Sequence, residues 1–254
     1  MSERELASAR SYWKRSQLRA GRRSRFVEVT EMSPDRVTAD AIENALMDEV
    51  LCLLGSGKEA DCYLGRYKGA FLVLKVYRLH RTPHKKHGIL GYAVDRMGSI
   101  AAREFTLLQR AYRAGVPVPT PARRVDNMFT MRYLGEEAKA PQLKDVVLED
   151  ARFAAEQVLE IVRGLVKTQI VHGDLSEYNI LCLHNKLFVI DFLQAIDFSS
   201  NVDRHKRIEE AKPYLLRDLR NLERFFAKCS VDLDADDEYD RLLSTTELSY
   251  MRPV

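Results

Sequence analysis

The chain has 254 residues, 46% of them hydrophobic and 30% charged, so it can bury a sizeable core and is not expected to be disordered. With 40 basic and 37 acidic side chains, the overall charge alone predicts no nucleic-acid partner. No apolar run approaches the roughly 20 residues that cross a bilayer, no signal-peptide pattern opens the chain, and the four cysteines form no CxxC pair. We therefore expect a cytoplasmic protein with buried free thiols.

The chain begins with a basic arm at residues 1–25, where eight arginine and lysine residues stand against two glutamates. Such an arm binds RNA or another anionic surface, or it is simply a solvated terminal helix. The early glutamates are atypical of an organellar transit peptide. After the arm, Ile42, Leu46 and Val50 recur at helical spacing, which predicts a short amphipathic helix over residues 38–50.

A change from helical to alternating periodicity marks the start of a sheet. Three strands are predicted at residues 51–54, 61–67 and 70–77, joined by short glycine-containing turns. Residues 78–98 are basic and punctuated by glycine, which predicts a mobile loop. A helix is then predicted over residues 99–113, and its spacing places the carboxylate of Glu104 among apolar neighbours on one face.

The proline-rich stretch at 115–121 ends that helix, and a lobe boundary is predicted a short distance after it. Two strands are predicted at 122–126 and 128–134, then helices at 143–168 and 207–228 with a small hairpin at 180–183 and 187–190 between them. We predict an N-terminal helical extension at 1–50, a first lobe at 51–135 and a second lobe at 136–254.

The most specific local pattern is IVHGDLSEYNILCL at 170–183, followed by LFVIDF at 187–192. Phosphoryl transfer needs oxygen donors for Mg²⁺ and one carboxylate that orients the attacking hydroxyl or water. Asp174 supplies that carboxylate, and Asn179 and Asp191 supply the metal ligands. The alternative is a surface loop with a helix-capping aspartate and an edge-strand aspartate. His172 is expected to brace the loop rather than transfer a proton.

A glycine-containing stretch, LLGSGKEADCYLG, joins the first two strands. Gly55 and Gly57 let the backbone approach phosphates, so that successive N–H groups can bind them. The stretch is not a Walker A loop. Cys52 stands where that motif has its first glycine, and Glu59 stands where it has Ser or Thr after the lysine. Taken alone, the stretch has one alternative, a tight hairpin without a ligand.

Lys75 is an ammonium in the middle of the apolar strand FLVLKVY. Burying an unpaired charge costs several kcal/mol, so a partner is required. Glu104 is the only glutamate between Lys75 and Glu136. A Lys75–Glu104 ion pair that holds the α and β phosphates of ATP satisfies both residues. The alternative is a lysine on an edge strand whose ammonium reaches solvent.

Together these residues resemble the RIO family of atypical serine/threonine protein kinases. The resemblance rests on GSGKEADCY, LKVYR, AAREFTLL, GVPVP, HGDLSEYNIL, IDFLQA and RDLRNLERFF, and runs from about residue 53 to residue 226. It implies an α+β, two-lobed protein-kinase-like fold with a small antiparallel-sheet N-lobe, a mostly helical C-lobe and a short N-terminal helical extension. Some motifs look like the type-1 branch, and RLHRTPHKKH leans toward type 2.

The resemblance also implies roles for individual residues. Asp174 is the expected catalytic base, Asn179 and Asp191 are expected to hold Mg²⁺ or Mn²⁺, and Asp191 is phosphorylated transiently if the family's ATPase cycle operates. The expected ATP contacts are Gly55, Ser56, Gly57, Lys58, Glu59, Lys75, Glu104, Met131 and Tyr133. Gly173 stands where alanine is often found, which is expected to be harmless, and Arg132 stands where an acidic hinge residue is common.

Several functions are compatible with this pattern. The first is a serine/threonine protein kinase that phosphorylates a protein substrate or itself. The second is an ATPase switch in small ribosomal subunit maturation, with a subunit precursor or its RNA as the partner. The alternative is a small-molecule phosphotransferase of the aminoglycoside or choline kinase type. A binding module without activity is disfavoured because every expected catalytic residue is present.

Overall fold

The computed structural model of the chain describes residues 33–78, 91–245 and 248. The predicted basic arm and most of the predicted loop at 78–98 lie outside the described residues. In the described part the α-helices are α1 (Pro34–Glu43), α2 (Gly91–Arg113), α3 (Ala151–Lys167), α4 (Arg204–Lys228) and α5 (Ala235–Thr245), and Leu143–Asp145 forms a 3-10 helix. The strands are β1 (Glu49–Ser56), β2 (Ala60–Tyr67), β3 (Ala70–Tyr77), β4 (Pro121–Val125), β5 (Met128–Arg132), β6 (Ile170–Val171), β7 (Ile180–Leu183), β8 (Lys186–Val189) and β9 (Ile196–Asp197).

The first five strands form one antiparallel sheet in the order β1-β2-β3-β5-β4. Strand β3 lies at its centre, where Lys75 is opposite Cys62 of β2 on one side and Phe129 of β5 on the other. Helix α2 contacts β3, β4 and β5. A small antiparallel sheet followed by a mostly helical part confirms the predicted α+β class.

Helix α3 supplies much of the core of the helical part. Asp150 caps it by accepting a hydrogen bond from the Phe153 N–H at 2.9 Å. Its buried positions recur at helical spacing and are Ala154, Ala155, Val158, Ile161, Val162, Leu165 and Val166. They join a core cluster that also includes one face of α4. Each large aliphatic side chain buried there contributes roughly 1.5–3 kcal/mol, so this core is the rigid base of the helical part.

Two short strand pairs place two loops side by side. Strand β6 pairs with β9, and β7 pairs with β8, both antiparallel. Residues 172–179 connect β6 to β7, and residues 190–195 connect β8 to β9. Because each loop connects the same two ladders, the loops are adjacent. The loop that contains Asp174 therefore lies beside the loop that contains Asp191.

The helix predicted at residues 38–50 is wrong at both ends. Helix α1 begins directly after Ser33, whose side chain caps its first turn, and it ends at Glu43. Val50 belongs to strand β1, and Ile42 is exposed. The buried face consists of Val37 and Ala41. The Ser-Pro-Asp start signal outweighed the downstream apolar spacing.

The loop predicted at residues 78–98 is wrong at its C-terminal end, because helix α2 already begins at Gly91. Gly98 is therefore a residue of the helix and not part of a loop. A Cβ added to Gly98 would lie 3.8 Å from the backbone of Asp126, in the turn between β4 and β5. The helix therefore continues through Gly98, beside the sheet, despite the low helix propensity of glycine.

Across residues 33–78 and 91–245, no helix is both long enough and apolar enough to cross a membrane. All four cysteines are free thiols. Cys182 is buried, whereas Cys52, Cys62 and Cys229 are half-buried, so the expectation of buried thiols holds for one of them.

Candidate active site

A buried lysine joins three elements of the fold. Lys75 on β3 is 6% exposed, and its Nζ donates to Glu104 Oε1 on α2 at 2.8 Å and to Asp191 Oδ1 at 2.8 Å. Glu104 is 3% exposed and also accepts from the Phe192 N–H at 3.1 Å. The Lys75–Glu104 ion pair expected from the sequence is therefore present. The bond from Lys75 to Asp191 was not predicted.

The charges of this cluster stabilise one another. Burial lowers the pKa of Lys75, but the carboxylates of Glu104 and Asp191 outweigh it and hold that pKa above its ordinary value. Burial raises the pKa of Asp191, but Lys75 outweighs it, so the pKa lies below its ordinary value. Burial raises the pKa of Glu104, with Lys75 opposing. Lys75 and Asp191 are therefore both charged near neutral pH.

Asp191 and Asn179 lie at the same end of the β7–β8 hairpin. Ile180 is paired with Val189, and the next N–H, that of Ile190, donates to the Asn179 carbonyl at 2.9 Å. Asp191 has left-handed backbone geometry, with φ 67°, which turns its carboxylate toward Lys75. Its side chain is 45% exposed, so the carboxylate can also reach a ligand.

Asn179 also contacts the loop that carries Asp174. Its Nδ2 donates to the Asp174 carbonyl at 2.8 Å and to Asp174 Oδ2 at 3.3 Å. With its amide hydrogens directed at Asp174, its amide oxygen points elsewhere. The structure thus connects Asp174 to Asn179 directly and Asn179 to Asp191 through the hairpin backbone.

A residue of helix α4 that the sequence reasoning missed holds the Asp174 loop in place. Asp218 is 2% exposed, and its carboxylate accepts from the Gly173 N–H at 2.7 Å and the Leu175 N–H at 2.9 Å. Asn221, one turn later, donates to the Leu175 carbonyl at 3.0 Å. The available signal was an aspartate on the buried face of a helix, within the motif RDLRNLERFF.

His172 braces the same loop. It is 2% exposed, its Nε2 lies 3.0 Å from the Ile190 carbonyl, and its ring packs edge-on against Phe192. Burial lowers its pKa, so the neutral imidazole donates from Nε2 to that carbonyl. This geometry agrees with the bracing role expected for His172.

The glycine loop, defined here as residues 55–59, covers a cavity of about 510 Å³. Of the predicted site residues, the cavity is lined by Gly55, Ser56, Gly57, Lys58, Glu59, Lys75, Met131, Tyr133 and Asp191. Glu104, Asp174 and Asn179 are not among its lining residues. Apolar side chains that were not predicted complete the walls, among them Leu54, Val73, Pro119, Leu181 and Leu193. A cleft that combines apolar walls with charged side chains suits a purine base and its phosphates.

The residues beside the cavity also suit a hard cation. Among the described residues, no group of three or more His, Cys, Asp or Glu side chains could hold a metal ion. The oxygen donors here are instead the carboxylates of Asp174 and Asp191 and the amide of Asn179. Mg²⁺ keeps several waters and takes one or two carboxylates together with phosphate oxygens, so this donor set fits it.

The fold resembles that of solved protein kinases. The Rio2 kinase of Chaetomium thermophilum, crystallised as an ADP/Mg²⁺-phosphoaspartate complex, superimposes with a TM-score of 0.62 at 20% identity, covering 93% of this chain and 81% of that one. A second structure of Rio2 kinase from Chaetomium thermophilum has the same TM-score and covers 97% of this chain and 85% of that one. The predicted kinase-like fold is therefore confirmed.

Sequence comparisons identify the family. The RIO1 family model, described as RIO domain, matches residues 63–239. The RIO-type serine/threonine-protein kinase Rio1 of Haloferax volcanii is 34% identical over 201 residues, which cover 74% of this chain and 66% of that protein. Rio1 of Thermoplasma acidophilum is 36% identical over 135 residues, 53% of this chain and 67% of that protein. Human RIO3 is 36% identical over 135 residues, 52% of this chain and 24% of that protein.

The chain belongs to the RIO family of atypical serine/threonine protein kinases, because the family model matches well over half of it. The resemblance stated from the motifs is thereby confirmed. The matched segment spans about two thirds of the two archaeal relatives and a smaller part of human RIO3.

Proposed function

We propose that the chain is an ATP- and Mg²⁺-dependent phosphotransferase of the RIO type that phosphorylates serine or threonine. One observation carries the proposal: the Lys75 ammonium joins Glu104 and Asp191, 2.8 Å from each, and both Lys75 and Asp191 line the cavity beneath the glycine loop. Phosphoryl transfer depends mainly on positioned charge, which this cluster supplies.

In this proposal the residues divide the work. The glycine loop binds the phosphates through its N–H groups, Lys75 binds them through its charge, and Met131 and Tyr133 contact the adenine. Asp191 and Asn179 would hold Mg²⁺, which supplies charge neutralisation on the phosphate oxygens when bound. Asp174 accepts the proton of the attacking hydroxyl.

A second activity, an ATPase cycle through Asp191, is favoured by one feature. The Asp191 carboxylate lines the cavity and is 45% exposed, so an oxygen of it can attack the terminal phosphorus. ADP leaves as the acyl phosphate forms, and water then releases inorganic phosphate and regenerates the carboxylate. The phosphoaspartate complex of the structurally similar Rio2 kinase supports this route.

The experiment uses purified protein with Mg·ATP labelled on the terminal phosphate. Acid-stable label on serine or threonine supports the kinase, whereas label that is released by hydroxylamine supports an acyl phosphate on Asp191. Release of free phosphate without labelled protein supports ATP hydrolysis and neither of the two labelled products. Label transferred to an aminoglycoside or choline, but not to protein, would instead favour the small-molecule phosphotransferase. No nucleotide binding at all would refute the proposal.

We also propose that the protein acts in the cytoplasm on small ribosomal subunit precursors. Support comes from the basic composition of residues 1–25 and from the family resemblance. Removing residues 1–25 should weaken binding to ribosomal RNA and flatten its salt dependence. Unchanged affinity at low salt would exclude the arm from this interaction.

A further inference from the structure

An arginine outside the predicted site contacts the glycine loop at several points. Arg78 follows the last residue of β3, and its Nε lies 3.1 Å from Asp61 Oδ2. Its Nη2 donates to Ser56 Oγ at 2.8 Å and to the Gly57 carbonyl. Its backbone N–H donates to the Glu59 carbonyl at 2.9 Å. One residue therefore binds both ends of the glycine loop and the strand that follows it.

The Arg78 guanidinium is held in a fixed direction by a buried carboxylate. Asp61 is 3% exposed, and the Arg78 side chain is 29% exposed. A buried carboxylate requires a charged partner, and the planar guanidinium offers several N–H donors in a rigid fork. The ion pair of Nε with Asp61 places Nη2 beside the loop, where Nη2 makes the hydrogen bonds. A lysine in this position has no such fork.

Gly55 and Ser56 end strand β1 and pair with Cys62 and Asp61 of β2, so the part of the glycine loop outside the sheet is residues 57–59. The Gly57 N–H donates to the Ala60 carbonyl at 2.9 Å and closes the turn. A Cβ added to Gly55 would meet no atom within 4 Å, so no side chain packs over that residue. A loop with two glycines loses much conformational entropy when it is ordered. Contacts that order it before a ligand binds therefore increase the affinity for that ligand.

We propose that Arg78 is a positioning residue, whose contacts with Ser56 and Gly57 hold the glycine loop in the shape that receives a nucleoside triphosphate. This inference rests on the proposed function, because it takes the cavity to be the nucleotide site. Arg78 acts through the loop, so its loss should affect the phosphates of the ligand and not the base.

The first test needs no nucleotide. Amide hydrogen exchange of residues 56–59 is compared among the wild type, Arg78→Ala and the control Arg124→Ala, an exposed arginine on the opposite edge strand. Exchange in Arg78→Ala should be about tenfold faster, as the loss of a charge-assisted hydrogen bond allows. The control should match the wild type. Equal exchange in Arg78→Ala and wild type would refute the proposal.

The second test measures dissociation constants for Mg·ATP, Mg·ADP and adenosine by calorimetry. Arg78→Ala should weaken both phosphorylated ligands about tenfold and leave adenosine unchanged, with the unfolding temperature of the free protein close to that of the control. Arg78→Lys should recover little. Full recovery with lysine, or equal weakening of adenosine, would show that charge or general damage is responsible and would overturn positioning.

If Arg78→Ala does not fold, Asp61→Asn replaces it in both tests, because it keeps the arginine and removes the carboxylate that pairs with it. Faster loop exchange and weaker Mg·ATP binding are again expected, and the absence of both changes would refute the proposal. If the wild type binds no nucleotide, the proposed function fails, while the exchange experiment still decides whether Arg78 orders the loop.

Discussion

Two parts of the site are held together in different ways. Lys75, Glu104 and Asp191 are joined by bonds between opposite charges on three separate elements. The loop around Asp174 is held by the side chain of Asp218, which accepts hydrogen bonds from two backbone N–H groups. The first arrangement depends on charge balance, and the second depends on fixed backbone geometry.

The difference matters for how each part responds to a ligand. An ammonium that bonds two carboxylates can exchange one of them for a phosphate, which frees Asp191 for a metal ion. The loop has no comparable exchange, because its N–H groups would be left without partners in a buried place. We infer that the charged cluster rearranges on binding, whereas the Asp174 loop is preorganised.

The largest expected effect is at Asp191, because it takes part in both metal binding and phosphate transfer in the proposed mechanism. Asp191→Asn should lower Mg²⁺-dependent turnover by about a thousandfold or more while leaving the fold intact. Turnover and circular dichroism are measured together. Asp126→Asn is the control, since Asp126 is an exposed turn residue that also has left-handed backbone, with φ 47°. Near-normal turnover in Asp191→Asn would contradict the assignment.

Removing the central ammonium breaks the charge balance. Lys75→Met leaves Glu104 buried without its partner, so the free energy of unfolding should fall by about 3–5 kcal/mol. Adding Glu104→Gln should recover part of the stability, but nucleotide affinity should stay low because no cation replaces Lys75. Urea unfolding and calorimetry provide the two measurements. The control is Lys186→Met, at an exposed strand residue. An equal loss of stability in both variants would show that the loss does not come from breaking the buried charge cluster.

The charged cluster was partly visible in the sequence. A lysine in an apolar strand requires a buried partner, and Glu104 stood alone on the inward face of the next helix, so the ion pair could be predicted. The contact of Lys75 with Asp191 could not be predicted, because it depends on how the β8–β9 loop lies against the sheet. No sequence spacing encodes that relative position.

The support that Asp218 gives the Asp174 loop was not predicted. Asp218 lies 44 residues after Asp174 in the sequence, and only the packing of α4 against β6 and β9 brings it to the loop. Helix bounds were also less predictable than helix existence. Glycines suggested a loop at 91–98, but packing of α2 against the sheet extended the helix through them.

A glycine tests how rigid the preorganised loop is. Glycine in place of the common alanine was expected to be harmless at position 173, but the reverse change is not. Gly173 has φ 77°, and an added Cβ would lie 2.6 Å from the Gln194 carbonyl oxygen. Gly173→Ala should therefore reduce the free energy of unfolding by about 2–3 kcal/mol. Gly69→Ala is the matched control, because Gly69 has φ 81° and open space around it. It should lose only about 1 kcal/mol, and equal losses in thermal or urea unfolding would exclude the clash.

The smallest expected effect, which is also the most specific to the loop, concerns Asp218 and pH. Burial raises the pKa of Asp218 to about 7, although the N–H groups of Leu175 and Gly173 lower it. Because this pKa lies above the ordinary value of 3.8, the folded state binds the proton more tightly than the unfolded state. The stabilisation from that proton is complete below about pH 4 and is lost as the pH rises to about 7.

Asp218→Asn removes this titration and one acceptor, so it should cost on the order of 1–2 kcal/mol at neutral pH. The stability lost relative to the wild type should be greater at pH 5 than at pH 7, because the wild type alone gains from protonation. Urea unfolding of both proteins across this range gives the difference directly. A difference that does not change with pH would mean that Asp218 keeps its charge when folded, so that two N–H donors outweigh burial and the loop is held by a carboxylate throughout.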